Sequence, residues 1–355
     1  GKGYVLLIAG QDGLSEAEEI SIGESKMAWE PAWSPDGKYI AFADDDVRIR
    51  LVDLEEKSIR TIDTAGTNLE RGGMGLRWSP DSRWLAYSRG ASNNFRQIVI
   101  WSLEANKTQA ITNTFADSFS PAWDLDRKHL YFLASTNLAL SSGWANTSAM
   151  VTNPDYGIYV VNLRKDDPSP FKPRSDEEGD DEESDGEEKD AGKSDEIENK
   201  KNDRKSDKEG DKNGDKKEEA VTIDFEEIDR RTLAVSMPVR NYRMILNGPS
   251  CSFFVGESKA NVSGMTLHKF TLKDRESKEF SAGIRQVAVS SDGKKILARI
   301  GSNWKVFDAS KTKGSDGKLL KLNLQLKVDR SAEWQQIFEE AWRYERDYFY
   351  DPNMH

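Results

Sequence analysis

The sequence is poorest in the residues that do covalent and metal chemistry. Its single cysteine, Cys251, excludes an intramolecular disulfide framework and any multi-cysteine zinc site. Three histidines, His129, His268 and His355, leave little material for a metal centre or a catalytic triad. No uninterrupted apolar run approaches the roughly 20 residues of a membrane helix, so no membrane partner is expected. The stretch from Gly1 to Gly10 is too short in its apolar part for a signal peptide and reads as a strand. A basic excess is also missing: the formal net charge of -11 speaks against nucleic acid as a partner. No G-x-S-x-G, H-E-x-x-H, G-x-G-x-x-G, Walker A or C-x-x-C pattern occurs.

What is present divides unevenly. Residues 172–220 hold 21 acidic and 12 basic side chains, a local net of -9, which leaves the rest of the chain (39 basic, 41 acidic) at only -2. The apolar side chains in that stretch are Ala191, Ile197 and Ala220, too few to offset the entropy of ordering it. It is expected to be a disordered, low-complexity insert at a tolerant surface turn. An acidic arm for a basic partner is the alternative.

The remaining chain repeats. Pro31-Ala-Trp33-Ser-Pro-Asp-Gly-Lys-Tyr-Ile-Ala-Phe42 returns as Leu76-Arg-Trp78-Ser-Pro-Asp-Ser-Arg-Trp-Leu-Ala-Tyr87. A degraded copy is Pro121-Ala-Trp123-Asp-Leu-Asp-Arg-Lys-His-Leu-Tyr-Phe132, and a fourth, without tryptophan, is Val287-Ala-Val-Ser-Ser-Asp-Gly-Lys-Lys-Ile-Leu-Ala298. Trp33, Trp78 and Trp123 stand 45 residues apart. Asp-Gly or Asp-Ser supplies a turn, and the runs after it are short, aromatic and β-branched, as buried strands are. Further strands are expected at Val47–Val52, Gln97–Trp101, Ile158–Val161, Ile59–Ile62 and Gln109–Thr112, then at Val221–Phe225, Arg240–Leu246, Ser252–Val255 and Met265–Phe270. Three or four strands per 45 residues describe one blade of a β-propeller, and a lone blade cannot bury its own faces. The expected fold is therefore all-β: a propeller of about six to seven four-stranded blades over 1–171 and 221–328, ending in a strand at Leu319–Val328.

After Val328 the period changes. Trp334, Ile337, Phe338, Ala341, Trp342 and Tyr348 recur at helical spacing. Asp329 or Ser331 is placed to cap this helix and Asp351-Pro352 to stop it. Its aromatic face has no partner in a propeller, so 329–355 is read as the first helix of another domain, and the chain as part of a longer one.

An audit for chemistry assigns no catalytic, cofactor-binding or metal-binding residue. Cys251, in Gly248-Pro-Ser-Cys-Ser252, lacks the second glycine of a nucleophile elbow and reads as a small buried residue entering a strand. His129 and His268 read as structural. The cluster Ala43-Asp-Asp-Asp46 and the pair Asp124/Asp126 have cation-binding side chains without an EF-hand pattern, and Asp-rich blade turns explain them. Trp33, Trp78 and Trp123 are expected between blades. Sequons at Asn106, Asn146 and Asn261 do not establish secretion.

The Trp-Ser-Pro-Asp-Gly units resemble the propeller repeats of TolB-like and tricorn-type proteins. Two segments narrow the resemblance to the tricorn protease family. Ile223-Asp-Phe-Glu-Glu-Ile-Asp-Arg-Arg-Thr-Leu-Ala-Val-Ser-Met-Pro-Val-Arg-Asn-Tyr242 looks like a linker strand of its second propeller, and Glu333–His355 like the helix opening its first catalytic subdomain. The resemblance implies the second, seven-bladed propeller of a serine peptidase; a single cysteine is compatible with a cytoplasmic setting, with periplasmic or secreted settings as the alternatives. That enzyme would trim oligopeptides downstream of a proteasome-like machine, with this propeller as filter and channel. It implies a first propeller, a PDZ domain and catalytic domains in the same polypeptide, and a hexamer. The family's nucleophile, base and acidic specificity residue match no position of this sequence. A TolB-like binding scaffold and the propeller of a prolyl-oligopeptidase-type hydrolase are the alternatives.

Overall fold

Strands that pack against a neighbour on both faces carry unbroken apolar runs, and the repeat is full of them. The computed structural model describes residues 5–12, 14–64, 73–93, 95–136, 155–172, 219–314, 316–323, 325, 327–349 and 351. Gly1–Asp167 with Ala220–His355 form one unit and Pro168–Glu219 a second. In the second, of which 168–172 and 219 are described, Ser169 Oγ accepts the Phe171 N–H at 3.2 Å. Most of the charged segment (173–218), Asn146 and His355 lie outside the described residues.

The first unit begins with an antiparallel pair, β1 (Val5–Ile8) and β2 (Glu18–Ser21). A first four-stranded blade holds β3 (Ala28–Trp33), β4 (Tyr39–Asp44), β5 (Arg48–Asp53) and β6 (Ser58–Thr64). The second holds β7 (Arg77–Trp78), β8 (Trp84–Gly90), β9 (Arg96–Ser102) and β10 (Lys107–Ala110). The third holds β11 (Asp117–Trp123), β12 (His129–Ser135), β13 (Gly157–Asn162) and β14 (Thr232–Ala234), so the chain leaves this blade after β13 and returns to complete it. The strands β15 (Tyr242–Asn247), β16 (Ser252–Ser258), β17 (Met265–Thr271), β18 (Glu276–Val289), β19 (Lys295–Ile300), β20 (Asn303–Asp308) and β21 (Lys318–Leu319) run as one sheet. They are a fourth and a fifth blade joined through β18, which is outermost in one and innermost in the other. The passage is marked by Gly283, at φ 73°, and a register shift between Ile284 and Gln286. The all-β propeller with a C-terminal helix is the fold that forms.

Side-chain alternation explains how blades hold one another. In β4, Ile40 and Phe42 pack with Ile20 and Ile22, while Ala41 and Ala43 face the second blade with Ile49 and Leu51. In β9, Val99 and Trp101 join that first interface, and Ile98 and Ile100 face the third blade with Leu130 and Phe132. Each such side chain contributes about 1.5–3 kcal/mol on burial, and deposits it between blades rather than within one.

Two expected strands do not form. Val221–Phe225 is extended coil: the Val221 N–H goes to the Asp81 carboxylate (2.7 Å) and its carbonyl accepts the Trp84 indole N–H (3.1 Å), so no ladder is needed. Among the described residues of 319–328 only Leu319 is in a strand, because the exposed leucines there, alternating with polar residues, have no sheet to cover. The helix α1 spans Arg330–Tyr348, and Asp329 caps it by accepting the N–H groups of Ser331 (2.9 Å) and Ala332 (3.3 Å). It buries no residue: Trp334 is 67% and Phe338 75% exposed. At its other end Lys26 Nζ donates to the Asp347 carbonyl (3.0 Å), a cation on the negative end of the helix.

Candidate functional site

The sheet order leaves β3, β7, β11 and β15 at the edges of their blades, and the second half of β18 opens the fifth. These five inner strands converge on a cavity of about 390 Å³. An edge strand carries unpaired N–H and C=O groups, which must be satisfied or blunted. Here the neighbouring blade satisfies several of them. The Trp78 indole N–H donates to the Ala32 carbonyl (3.1 Å), and Trp123 to the Arg77 carbonyl (2.9 Å). In return, bulge residues reach forward: Glu30 accepts the Gly75 N–H (2.8 Å) and Ser120 Oγ the Ile245 N–H (2.9 Å). Glu30, Gly75 and Ser120, again 45 apart, all have φ between 53° and 63°. Proline at 31 and 121 fits an edge that donates nothing into a ladder.

The turns after these strands are locked by their own sequence. Ser34 Oγ donates to Asp36 (2.6 Å) and accepts the Tyr39 N–H (2.9 Å). Ser290 repeats this with Asp292 (2.6 Å) and Lys295 N–H (2.9 Å), and Ser79 with Asp81 and Trp84 N–H. In the third blade Asp124 takes the serine's place. It accepts N–H groups from Asp126 (2.9 Å) and Cys251 (2.8 Å) and the Tyr131 hydroxyl, while His129 Nδ1 rests on Asp126. Burial, then the Asp126 charge, raises the Asp124 carboxyl. Burial works the same way on Asp126, but the hydrogen bond and charge of His129 outweigh it and lower that carboxyl. Asp124 thereby ties the turn to the fourth blade through the Cys251 N–H, while Asp126 and His129 hold each other within the turn. In the cluster at 43–46, likewise, Asp44 holds Ser25 and Arg48, and Asp45 accepts the Lys26 N–H.

Sequence reasoning missed a fifth copy of this turn. Gly248–Ser252 closes it one residue shorter, with Gly248 N–H on the Ser252 carbonyl (3.1 Å). Cys251 has φ 60°, the conformation of Gly37 and Gly293 in the sister turns. It is therefore an exposed turn residue, which corrects the expectation of a small buried one. Partial burial, then the charges of Asp124 and Asp126, pushes its thiol up to about 11, so it is a protonated thiol at neutral pH. His268 lies within β17 and donates or accepts at Glu257 (2.8 Å), which also holds Arg240 (3.2 Å). Both described histidines are thus engaged by carboxylates.

The lumen itself is mostly apolar. Trp33, Pro35, Pro80, Leu76, Leu125 and Val289 contribute to its wall. Trp78 and Trp123 are buried between blades, but Trp33 is 50% exposed and faces the cavity. One charged side chain lines it among the described residues, Arg77. Arg77 is exposed to the lumen, and the surrounding walls thin the water around it. That thinning lowers its pKa, and the Glu30 charge opposes the change. It stays cationic at any working pH.

A family model described as the tricorn protease second β-propeller domain matches residues 2–310. The chain belongs to the tricorn protease family. A second model, the tricorn protease C1 domain, matches residues 330–355, which includes α1. Among curated proteins the chain is similar to tricorn protease homolog 1 of Streptomyces coelicolor, 26% identical over 95% of this chain and 31% of that one. It is also similar to the tricorn protease of Thermoplasma volcanium, 24% identical over 90% of this chain and 28% of that one. The crystal structure of the tricorn protease superposes with a TM-score of 0.69 at 19% identity, covering 96% of this chain and 31% of that structure; it shows the shared fold. The chain thus spans about a third of the length of the relatives it matches. No helix among the described residues is long and apolar enough to cross a membrane.

Proposed function

We propose that this propeller is the non-catalytic, peptide-conducting part of a tricorn-like serine peptidase. Its inner strands form a rigid passage that admits extended oligopeptides, excludes folded domains and delivers substrate to a catalytic site outside this chain. The observation that carries the reading is the cavity lined by the five inner strands, several of whose edge groups (the Ala32 and Arg77 carbonyls, the Gly75 and Ile245 N–H groups) are taken by neighbouring blades rather than left to pair with a substrate strand. A wall that offers few main-chain partners lets a peptide slide instead of adding to a sheet. We assign the remainder of the enzyme (first propeller, PDZ and catalytic domains), oligopeptide substrates, a hexameric assembly and a cytoplasmic setting to the same reading. A single cysteine, with no partner for an intramolecular disulfide, accords with a reducing compartment.

The test compares this chain with its full-length parent, using fluorogenic peptides and a serine-directed covalent probe. Only the parent should turn over peptide and take up label. Ser291→Trp, an exposed position on the cavity wall, should slow peptide turnover by the parent while the small probe labels at an unchanged rate. Labelling of the isolated chain would sink the non-catalytic reading. Unchanged peptide turnover in the tryptophan variant would sink the passage.

A further inference from the structure

We propose that Arg77 reads anions in the channel, its guanidinium binding a carboxylate of an extended peptide in the lumen. The inference rests on the reading of the cavity as a peptide passage and adds the chemistry that selects among peptides.

The argument starts from the repeat. The position of Arg77 on the inner strand is held by Ala32 in the first blade, Ala122 in the third, Leu246 in the fourth and Ala288 in the fifth. Their ladder partners on the second strand (Ala41, Ala86, Tyr131, Phe254 and Leu297) establish the equivalence. The main chain does the same work whatever the side chain, since the Ala32 and Arg77 carbonyls both receive an indole N–H from the next blade. Packing at this position is satisfied by a methyl group, so a guanidinium there is not required by the fold. It is also not used by the fold. Arg77 donates one hydrogen bond, to the carbonyl of its neighbour Leu76 (2.9 Å), and forms no ion pair among the described residues. Glu30, whose charge reaches it, is committed to the Gly75 N–H.

A cation in an apolar-walled lumen, with no ion pair among the described residues, is an unfilled half of a charge-assisted pair. The arginine fork matches a carboxylate with two parallel N–H···O bonds, and the apolar wall strengthens that attraction by thinning the screening water. Trp33, on the adjacent blade, presents a half-exposed indole to the same lumen, a flat apolar face for a peptide side chain. Two sources supply the carboxylate: the C-terminus of the peptide, or an aspartate or glutamate within it.

The test uses this chain and three dansylated probes: Ala-Ala-Ala-Leu with a free C-terminus, its C-terminal amide, and an amidated version with a central aspartate. Binding is read by fluorescence anisotropy for the natural chain, Arg77→Ala and Arg77→Lys. Arg77→Ala installs the residue that three sister blades already carry, and its melting curve checks the fold. At least one carboxylate probe should bind the natural chain about tenfold or more tighter than the neutral amide. The preference should vanish in Arg77→Ala and persist in part in Arg77→Lys. Whichever acid binds better identifies the source. Equal binding of all three probes, or a preference that survives Arg77→Ala, overturns the anion reader and leaves the passage standing. Failure of every probe to bind overturns both.

Discussion

At two interfaces an indole nitrogen adds a directional bond to the apolar packing between blades. Trp123 is buried and its N–H meets the Arg77 carbonyl, so Trp123→Phe leaves that carbonyl unpaired and should lower unfolding stability by about 1 kcal/mol. Trp33 occupies the same repeat position but is half-exposed, and its N–H has no partner among the described residues. Trp33→Phe should therefore cost distinctly less in the same urea titration; equal losses would mean that the bond is not what holds Trp123. Cys251 offers a second test at this scale. Its φ of 60° suits glycine, so Cys251→Val should destabilise by about 1–2 kcal/mol while Cys251→Gly is tolerated.

At the scale of the element, the Ser-x-Asp turn sets where one strand stops and the next begins. Ser79 is fully buried and its hydroxyl both donates and accepts, so Ser79→Ala should cost about 1–2 kcal/mol. The half-buried Ser290 should cost less, although its bonds are alike. The bulge residue Glu30 adds a pH dependence. Burial raises its carboxyl above the usual 4.5, against the opposing pull of the Gly75 N–H and the Arg77 charge. A raised value in the folded state means that its contribution to stability is fully present below 4.5 and is lost as pH rises through the folded value. Glu30→Gln keeps an acceptor for Gly75, so its thermal melts should decline less steeply than those of the natural chain over that rise. Parallel curves would show that Glu30 ionises as freely folded as unfolded.

Across the whole molecule, interfaces between blades carry the stability and α1 carries an unfinished surface. Trp334, Phe338 and Trp342, at 67%, 75% and 53% exposed, form an apolar face larger than a soluble monomer ordinarily leaves open. Deleting residues 330–355 should reduce concentration-dependent self-association in sedimentation velocity. It should leave the melting of the sheets nearly unchanged, since the helix buries none of its own residues. A large drop in melting temperature would instead make the Lys26 contact to Asp347 a major brace of the propeller.

The fold was legible because the propeller is written locally. A 45-residue period, Asp-Gly and Asp-Ser turns, and strands apolar on both faces are each properties of a few consecutive residues. The asparagine, glycine and cysteine of the fourth-blade turn hid its copy, since the geometry there is set by φ and not by side-chain identity. Val221–Phe225 misled for the opposite reason: strand-like residues found hydrogen-bond partners in Asp81 and Trp84, far away in sequence. The same period would have exposed the channel's cation, because Arg77 stands where the register has Ala32 and Ala122. The sequence alone determined the blades and the turns that end them, through short-range backbone and hydrophobic patterning. Only the tertiary structure decided which edge of each blade faces the lumen, which tryptophan stays open to it, and that a guanidinium stands there with no ion pair among the described residues. Those depend on how five separate inner strands converge in space.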